Sequence, residues 1–236
     1  MLAISQPTYL PWLGYFALIN ASKKIIFLDD VQLNSRSWQQ RNRIINNDKI
    51  SYLTVPVKKK GLKNQLINSV KIENKKIFRD HIKTIHHNYS KTKFFNKYYE
   101  KIENILIDCE KFDLLSDINI FIIKEICKIL GININYQLSS DLNSIGKRAD
   151  KLINICKILK SNEYLSNEGA FSYLDIEINK FKENNIKLFK LSVDNIEYKQ
   201  QTNNFHEKLS IIDVIFNVGP DSLSLIKDSY KVSDIY

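Results

Sequence analysis

Three arginines and a tryptophan cluster in one short segment near the start of the chain. Arg36, Arg41 and Arg43 fall within eight residues, and Trp38 lies between them. Guanidinium groups bind phosphate oxygens in planar pairs, and an indole ring offers a surface on which a base or a sugar stacks. We therefore predict that these residues, with the neighbouring Gln40, clamp the diphosphate of a ligand and stack its ring.

Two adjacent carboxylates, Asp29 and Asp30, precede this cluster at the end of a predicted strand. Neighbouring strand residues point to opposite faces, so the two groups are not expected to form a coupled pair. Either is suited to accept a proton or to contact a ligand, which makes Asp30 a candidate catalytic residue and Asp29 a candidate binding residue. An equally good interpretation is that one carboxylate neutralises Arg36 or Arg41 in a structural network. The spacing of His, Cys and Asp residues predicts no metal site.

The segment from Gln6 to Phe16 is the most informative part of the chain. It holds two of the four prolines and one of the two tryptophans, and it connects a predicted strand with a predicted helix. In open α/β folds such a turn lies at the carboxyl edge of the sheet, where ligands bind. We assign Gln6 and Tyr9 to the ligand site. Trp12 and Phe16, four residues apart on one helical face, are predicted to pack in the core.

Short apolar runs alternate with longer helical periods along the chain. Strands are predicted at 2–5, 24–28, 51–57, 67–72, 132–138, 164–165 and 187–191. Helices are predicted at 12–21, twice within 77–106, at 118–130 with Gly131 as the cap, at 148–159 and at 171–184. This interleaving predicts an α/β fold, with a mostly parallel Rossmann-like sheet flanked by helices and a helix-rich C-terminal half. We expect one domain over 1–236, with a candidate helical subdomain at 77–130.

The composition is that of an ordinary globular protein, with 44% apolar and 26% charged residues. The formal charge of +9 favours an anionic partner. Lysines scattered over solvated helix faces explain much of that charge without any function. Nucleic-acid binding is not predicted, since the sequence holds no helix-turn-helix, zinc-finger or ribonucleoprotein motif.

The cysteines point to a reducing compartment. Cys109, Cys127 and Cys156 lie in apolar stretches and form no Cys-x-x-Cys pair, so they are predicted to be buried, reduced thiols. The sequence begins without a basic leader, and no apolar run reaches the ~18 residues that span a bilayer. We therefore expect a cytoplasmic protein without a membrane span.

Several segments resemble the WbqC-like protein family, and the resemblance spans nearly the whole chain. The matching segments are QPTYLPWLGYF at 6–16, LDDVQ at 28–32, SWQQRNRI at 37–44, LTVPV at 53–57, YLS at 164–166, YKQ at 198–200 and LSIID at 209–213, with His81, Tyr89, Ser139 and Ser140. Two positions depart from the family pattern, since Phe78 stands where tryptophan is usual and Gln40 where asparagine is usual.

The resemblance implies a function in cell-surface sugar biosynthesis. Genes of this family resemble parts of clusters for O-antigens, and its members have been suggested to attach glycine or another acyl group to an amino sugar. The expected activity is therefore an N-acyl or N-aminoacyl transferase that acts on a nucleotide-linked amino sugar in O-antigen or lipopolysaccharide biosynthesis. An acyl thioester and ATP-driven activation both remain open as the source of the acyl or aminoacyl donor. The alternative is a non-catalytic accessory protein that binds a sugar nucleotide or a glycan.

The same resemblance selects further site residues. His81 is the expected general base, because the amine of the sugar must lose a proton before it forms an amide. Ser139 and Ser140 are expected to contact the substrate.

A polar segment near the C-terminal end adds two more candidates. Tyr198 and Gln200 alternate to one side of an extended stretch and are predicted to hydrogen-bond the sugar. Ser210 is instead predicted to cap a helix, with Asp213 in the first turn as its capping-box partner.

Overall fold

A computed structural model describes residues 1–34, 36–59, 61–62, 64–167, 177–194 and 196–236. Its strands are β1 Leu2–Ser5, β2 Lys24–Phe27, β3 Arg41–Asn46, β4 Lys49–Thr54, β5 Tyr136–Leu138, β6 Glu163–Asn167, β7 Lys187–Val193 and β8 Tyr230–Asp234. Its helices are α1 Leu13–Ala21, α2 Ile77–Tyr89, α3 Phe95–Asp108, α4 Leu115–Leu130, α5 Ala149–Ile158, α6 Ile178–Glu183, α7 Ile211–Val218 and α8 Ser222–Asp228.

The main sheet has six strands in the order β5-β2-β1-β6-β7-β8, and only β8 runs antiparallel to its neighbour. The prediction of an α/β fold with a mostly parallel sheet is confirmed. The chain builds outward from β1 through β2 to β5, then restarts at β6 on the other side of β1. Strands β1 and β6 pair through Leu2 with Tyr164 and Ala3 with Leu165, whereas five residue pairs join β6 to β7. A crevice therefore opens beyond Ala3 at the carboxyl edge, where the strand order reverses.

Both faces of this sheet are covered, as parallel strands require. Alternate side chains enter two separate cores. The core beneath α5 and α6 contains Leu2, Ile4, Ile26, Tyr164 and Leu188. The core on the opposite face contains Ala3, Ile25, Phe27, Leu165 and Leu191, together with residues of α1–α4 and α7. Since helices close both faces, the carboxyl edge is the open approach to the central strands.

Residues 41–54 form a separate antiparallel hairpin and add no strand to the main sheet. Strand β4 overlaps the strand predicted at 51–57, but the prediction misses its partner β3, whose alternating arginines resemble a surface loop. Asn47 and Asp48 connect the two strands with φ of 49° and 59°. Positive φ at both central residues is what a tight hairpin turn needs, and Asn and Asp tolerate it better than most residues.

One predicted strand is wrong, one strand was not predicted, and one predicted helix is described only in part. The strand predicted at 67–72 is wrong, because Ile67–Ser69 is a 3₁₀ helix and the following residues form single bridges. Strand β8 is missed, since its exposed sequence lacks an apolar run. The helix predicted at 171–184 lies partly outside the described residues, which here resume at 177 and contain α6.

The three cysteines are free and buried, which confirms that part of the prediction. Burial raises the pKa of Cys127 and of Cys156 to about 12, so both stay protonated and unreactive near neutrality. Over the described part of the chain, no helix has both the length and the apolar character needed to cross a membrane.

Gly219 ends α7 in a conformation that a side chain would disturb. Its φ is +67°, and an added Cβ would lie 2.4 Å from the ring of Phe94. The backbone N–H of Phe94 donates to the carbonyl of Phe216, which fixes the main chain of Phe94 beside the end of α7. By contrast Gly131, which ends α4 at φ +73° as predicted, has its nearest neighbour at 4.0 Å.

Gly219→Ala should lower the free energy of unfolding by roughly 2–4 kcal/mol, because the strain of its glycine-type backbone, at ψ −123°, and overpacking add together. Gly131→Ala is the control for a positive φ without a crowded neighbour, at ψ 23°, and should cost only about 1 kcal/mol from backbone strain. Urea unfolding followed by circular dichroism measures both. Equal losses in the two variants would show that the contact with Phe94 is not limiting.

Candidate functional site

A cavity of about 460 Å³ opens at the carboxyl ends of β1, β6 and β7. Its lining residues are Ser5, Thr8, Trp12, Gly14, Tyr15, Trp38, Asn42, Arg43, Asn167, Leu191, Val193 and Lys208. This volume lies within the range of small-molecule sites, and the position coincides with the reversal of strand order. We take this cavity as the candidate functional site.

The floor of the cavity follows from the sheet register. Asn167 pairs with Leu191, and Ser5 ends the neighbouring strand β1. Because side chains alternate along each strand, Ser5, Asn167, Leu191 and Val193 share the face that also carries Ala3 and Leu165. The floor therefore combines hydroxyl and amide groups with two aliphatic side chains.

One wall of the cavity is cationic. Arg43 Nη2 donates to the carbonyl oxygen of Lys208 at 3.0 Å, and its guanidinium lies 5.5 Å from the ring centroid of Trp38. The Nε–H of Arg43 is buried and has no hydrogen-bond partner among the described residues. Lys208 Nζ lies 6.0 Å from the ring centroid of Trp12. Since none of the described residues that line the cavity carries a carboxylate, this lining favours an anion.

The turn at 6–12 is fixed by buried amide side chains. Asn42 Nδ2 donates to the carbonyls of Tyr9 and Leu10 at 3.1 and 2.8 Å. Asn119, fully buried in α4, donates to the carbonyls of Pro7 and Gln39 at 3.0 and 2.7 Å. These bonds hold the turn against the entry to β3. They therefore set the distance between Trp12 on one side and Trp38 with Arg43 on the other.

The structure places Gln6 and Tyr9 behind the cavity wall. The side chain of Gln6 accepts a hydrogen bond from Gln39, and its carbonyl accepts one from the hydroxyl of Tyr15 at 3.1 Å. Tyr9 is fully buried. Trp12, predicted to belong to the core, packs against that core with one part and lines the cavity with another. Phe16 is a core residue as predicted.

His81 is buried on α2 with both ring nitrogens engaged. Its Nδ1 lies 2.8 Å from the hydroxyl of Tyr9, and its ring is also hydrogen-bonded to the backbone of Thr54. Burial lowers the pKa of His81 to about 4, so the ring is neutral and Tyr9 is the donor. His81 is not among the lining residues of the cavity. Its contacts join α2, β4 and the turn at 6–12.

The two aspartates meet the two predicted serines at the edge between β2 and β5. Asp29 accepts hydrogen bonds from the hydroxyl of Ser140 at 2.7 Å and from its backbone N–H at 3.0 Å. The Ser139 hydroxyl lies 3.0 Å from Asp29 Oδ1 and 2.5 Å from Asp30 Oδ1. Asp30 also pairs with Lys151 at 2.7 Å. The structural network expected for these carboxylates is present, but its cation is Lys151 in place of an arginine.

Tyr198 and Gln200 bind a buried carboxylate. The Tyr198 hydroxyl donates to Asp213 Oδ2 at 2.7 Å, and Gln200 Nε2 donates to the same oxygen at 3.2 Å. Gln200 also exchanges hydrogen bonds with the backbone of His206. Burial raises the pKa of Asp213 to about 6. The predicted capping box is therefore wrong, because Asp213 serves this network while Ser210 occupies the N-cap without a side-chain bond.

The remaining predicted residues lie along the hairpin. Trp38 and Arg43 line the cavity, whereas Arg41 lies over the ring of Tyr52 at 4.5 Å. Arg36 is exposed, with φ of 55°. Gln40 is buried, and its Oε1 finds no hydrogen-bond partner in the described ranges. Within those ranges, no group of three His, Cys, Asp or Glu side chains is arranged to hold a metal ion.

Several residues that line the cavity were not predicted from the sequence. Thr8 and Tyr15 lie within the segment chosen for its turn, and Asn42 lies between two selected arginines, so position alone was a usable signal. Asn167 follows a short predicted strand at its carboxyl end, where ligands of α/β folds bind. Lys208 carries no local signal, because its carbonyl reaches Arg43 only through the tertiary fold.

Comparison with known proteins gives one family and one relative. A family model described as the WbqC-like protein family matches residues 6–225. The uncharacterized protein Rv1507c of Mycobacterium tuberculosis is 33% identical over 221 residues, which cover 93% of this chain and 94% of the relative. None of the solved structures matches the chain.

Gly14→Ala should move the indole of Trp12, because a Cβ at position 14 would lie 2.3 Å from its ring. In a Trp38→Phe background Trp12 is the one remaining tryptophan. We expect a shifted emission maximum and stronger acrylamide quenching on adding Gly14→Ala, and no change on adding Gly131→Ala. Identical spectra in the two double variants would contradict the contact.

His81 and Asp213 should give opposite pH dependences of stability over the same range. The unfolded chain protonates His81 near pH 6.5 but the folded protein only near 4, so this group destabilises as the pH falls. Asp213 holds its proton up to about 6 when folded and only to about 4 when unfolded, so it destabilises as the pH rises.

Relative to the wild type, His81→Gln should therefore gain stability on acidification, and Asp213→Asn should lose it. Each difference should approach about 1.4 kcal/mol per pH unit at its steepest. Urea unfolding at about pH 4, 5, 6 and 7 measures the slopes. Parallel profiles for the wild type and both variants would refute the two shifts.

Proposed function

Because the chain belongs to the WbqC-like protein family, we propose that it is an N-acyl or N-aminoacyl transferase that binds a nucleotide-linked amino sugar in surface-glycan biosynthesis. The observation that supports this class of ligand is the cavity at the point where the strand order reverses. Arg43 and Lys208 supply charge there, Trp12 and Trp38 supply stacking surfaces, and the described part of the lining holds no carboxylate to oppose an anion. Such a lining suits a sugar linked to phosphate.

The floor of the cavity is suited to the sugar. Ser5 and Thr8 carry hydroxyl groups, and Asn167 carries an amide, which are the groups that orient sugar hydroxyls through hydrogen bonds. Leu191 and Val193 provide the apolar surface against which a ring face packs. We therefore assign the sugar to the floor and its phosphate to the wall formed by Arg43 and Lys208.

The proposed step joins the amino nitrogen of the sugar to the acyl carbon of an activated donor. With a thioester donor, the N–C bond forms, the C–S bond breaks, and the proton released by nitrogen leaves with the thiol. An amine that arrives uncharged can attack without an enzymic base, and the lining residues that the structure describes include neither imidazole nor carboxylate. We accordingly assign His81 a positioning role through Tyr9, and Asp30 a structural one through Lys151.

That same lining favours a second function. A cavity whose described lining offers no imidazole or carboxylate to accept a proton fits a non-catalytic accessory protein that binds a sugar nucleotide and presents it to another enzyme. This reading predicts ligand-induced stabilisation without any product.

Arg43→Gln and Lys208→Gln should each weaken binding of UDP-glucosamine by about ten-fold, because each removes a charged donor to phosphate. Lys111→Gln is the control for charge, since Lys111 pairs with Asp108 on α3 and does not line the cavity. Isothermal titration calorimetry measures the three affinities. Equal affinity in all three variants would place the ligand elsewhere.

The reaction is tested by incubating the protein with UDP- and dTDP-linked amino sugars and a panel of acyl and aminoacyl thioesters. Parallel reactions contain ATP and the free acids. Mass spectrometry should detect one amide product, and His81→Gln should still form it. Binding without any amide would support the accessory function, and the absence of binding would refute both.

A further inference from the structure

The hairpin carries two large aromatic rings that stay open to solvent. Trp38 is 47% exposed and Tyr52 is 44% exposed. Their ring centroids lie 6.5 Å apart with an interplanar angle of 33°. Rings of this size supply much binding energy when covered, and adjacent exposed ones mark contact surfaces more often than isolated ones do.

Each of these rings is accompanied by a guanidinium group. Arg43 lies 5.5 Å from the ring centroid of Trp38, and Arg41 lies 4.5 Å from that of Tyr52. The hairpin register explains this arrangement, because Arg43 pairs directly with Tyr52 and Arg41 lies two residues away on the same strand. Residues two apart on a strand share a face. We call these four side chains, Trp38, Arg41, Arg43 and Tyr52, the hairpin ladder.

The hairpin ladder continues the wall of the cavity. Trp38 and Arg43 belong to both, whereas Arg41 and Tyr52 lie beyond the lining residues. A ligand whose phosphate is bound in the cavity can therefore extend along the hairpin and still contact guanidinium groups and aromatic rings. Arg41 and Arg43 lie two residues apart on one face of β3, and each guanidinium group lies beside an aromatic ring.

We propose that the hairpin ladder is the nucleoside diphosphate subsite, with the base against Tyr52 and Trp38, the sugar-linked phosphate on Arg43 at the cavity wall that also holds Lys208, and the second phosphate on Arg41. This assignment rests on the proposed function, since it gives the sugar the cavity floor and the nucleotide the exposed hairpin. Base stacking on aromatic side chains tolerates different bases, and guanidinium groups match phosphate oxygens. A nucleoside diphosphate carries both a base that can stack on the rings and phosphates that can bind the guanidinium groups. An acidic peptide has the negative charge but no base to stack on Trp38 and Tyr52.

The test compares nucleoside diphosphates with pyrophosphate, which shares the charge but lacks the base. Isothermal titration calorimetry is run with UDP, dTDP, GDP, ADP, CDP and pyrophosphate on the full chain. The tightest diphosphate should bind about ten-fold better than pyrophosphate, which is the scale of one stacked base. Tyr52→Leu and Trp38→Leu should each reduce this ratio toward one and leave pyrophosphate affinity unchanged. Arg41→Gln should weaken both ligands.

Ile50→Ala is the matched control. Ile50 lies two residues from Tyr52 on β4 and is 42% exposed, so its removal alters the same face without touching the ladder. Its ratio should equal that of the wild type.

The outcomes separate this subsite from the proposed function. An unchanged ratio in both ring variants, with sugar nucleotides still bound, overturns the hairpin ladder alone. Failure of sugar nucleotides and all diphosphates to bind refutes the proposed function and the subsite with it. A thymidine oligonucleotide that binds more tightly than every diphosphate also overturns the subsite, because a nucleic-acid strand would then be its ligand.

Discussion

The site depends on two buried asparagine side chains. Asn42 and Asn119 donate to carbonyls of the turn at 6–12 and of Gln39, which would otherwise lie unpaired inside the protein at a substantial free-energy cost. Their hydrogen bonds also offset the backbone strain of Leu10, whose φ of 42° is in the left-handed region. The turn, the hairpin and α4 are thereby joined as one frame. Without that frame, the tryptophans on opposite sides of the cavity would have no fixed separation.

Charge is divided between two kinds of surroundings. Among the described residues, the buried carboxylates Asp29 and Asp213 accept hydrogen bonds from protein donors, Asp29 from Ser140 and Asp213 from Tyr198 and Gln200. The cations at the cavity, Arg43 and Lys208, lie instead beside aromatic rings. A neutral His81 in the interior follows the same division, because burial keeps its proton off. The buried ionisable groups therefore stabilise the fold, whereas the cations at the cavity are available to bind a ligand.

The general plan of the fold was predictable from periodicity, and the site only in part. Alternation of short apolar runs and helical stretches was enough to predict a parallel sheet, because buried strands are read from local sequence. Arg43 and Trp38 were found because they cluster along the chain. Tyr9 was selected for its place in the turn and His81 for the family resemblance, but their burial depends on what packs around them. Lys208 and Asn119 contribute through partners that lie 165 and 80 residues away, a relation that no local pattern records.

The placement of β1 has a consequence for how the chain is made. This strand leaves the ribosome before β6, and Ala3 must wait for Leu165 before its second edge is paired. Until then one side of a central, apolar strand stays open, and such an edge invites association between chains. Contacts so distant along the chain also form slowly, because a long loop must close before they add stability. We infer that β2 shields half of the strand early, and that the growing chain carries an unfinished sheet, and no cavity, until β6 and β7 have emerged.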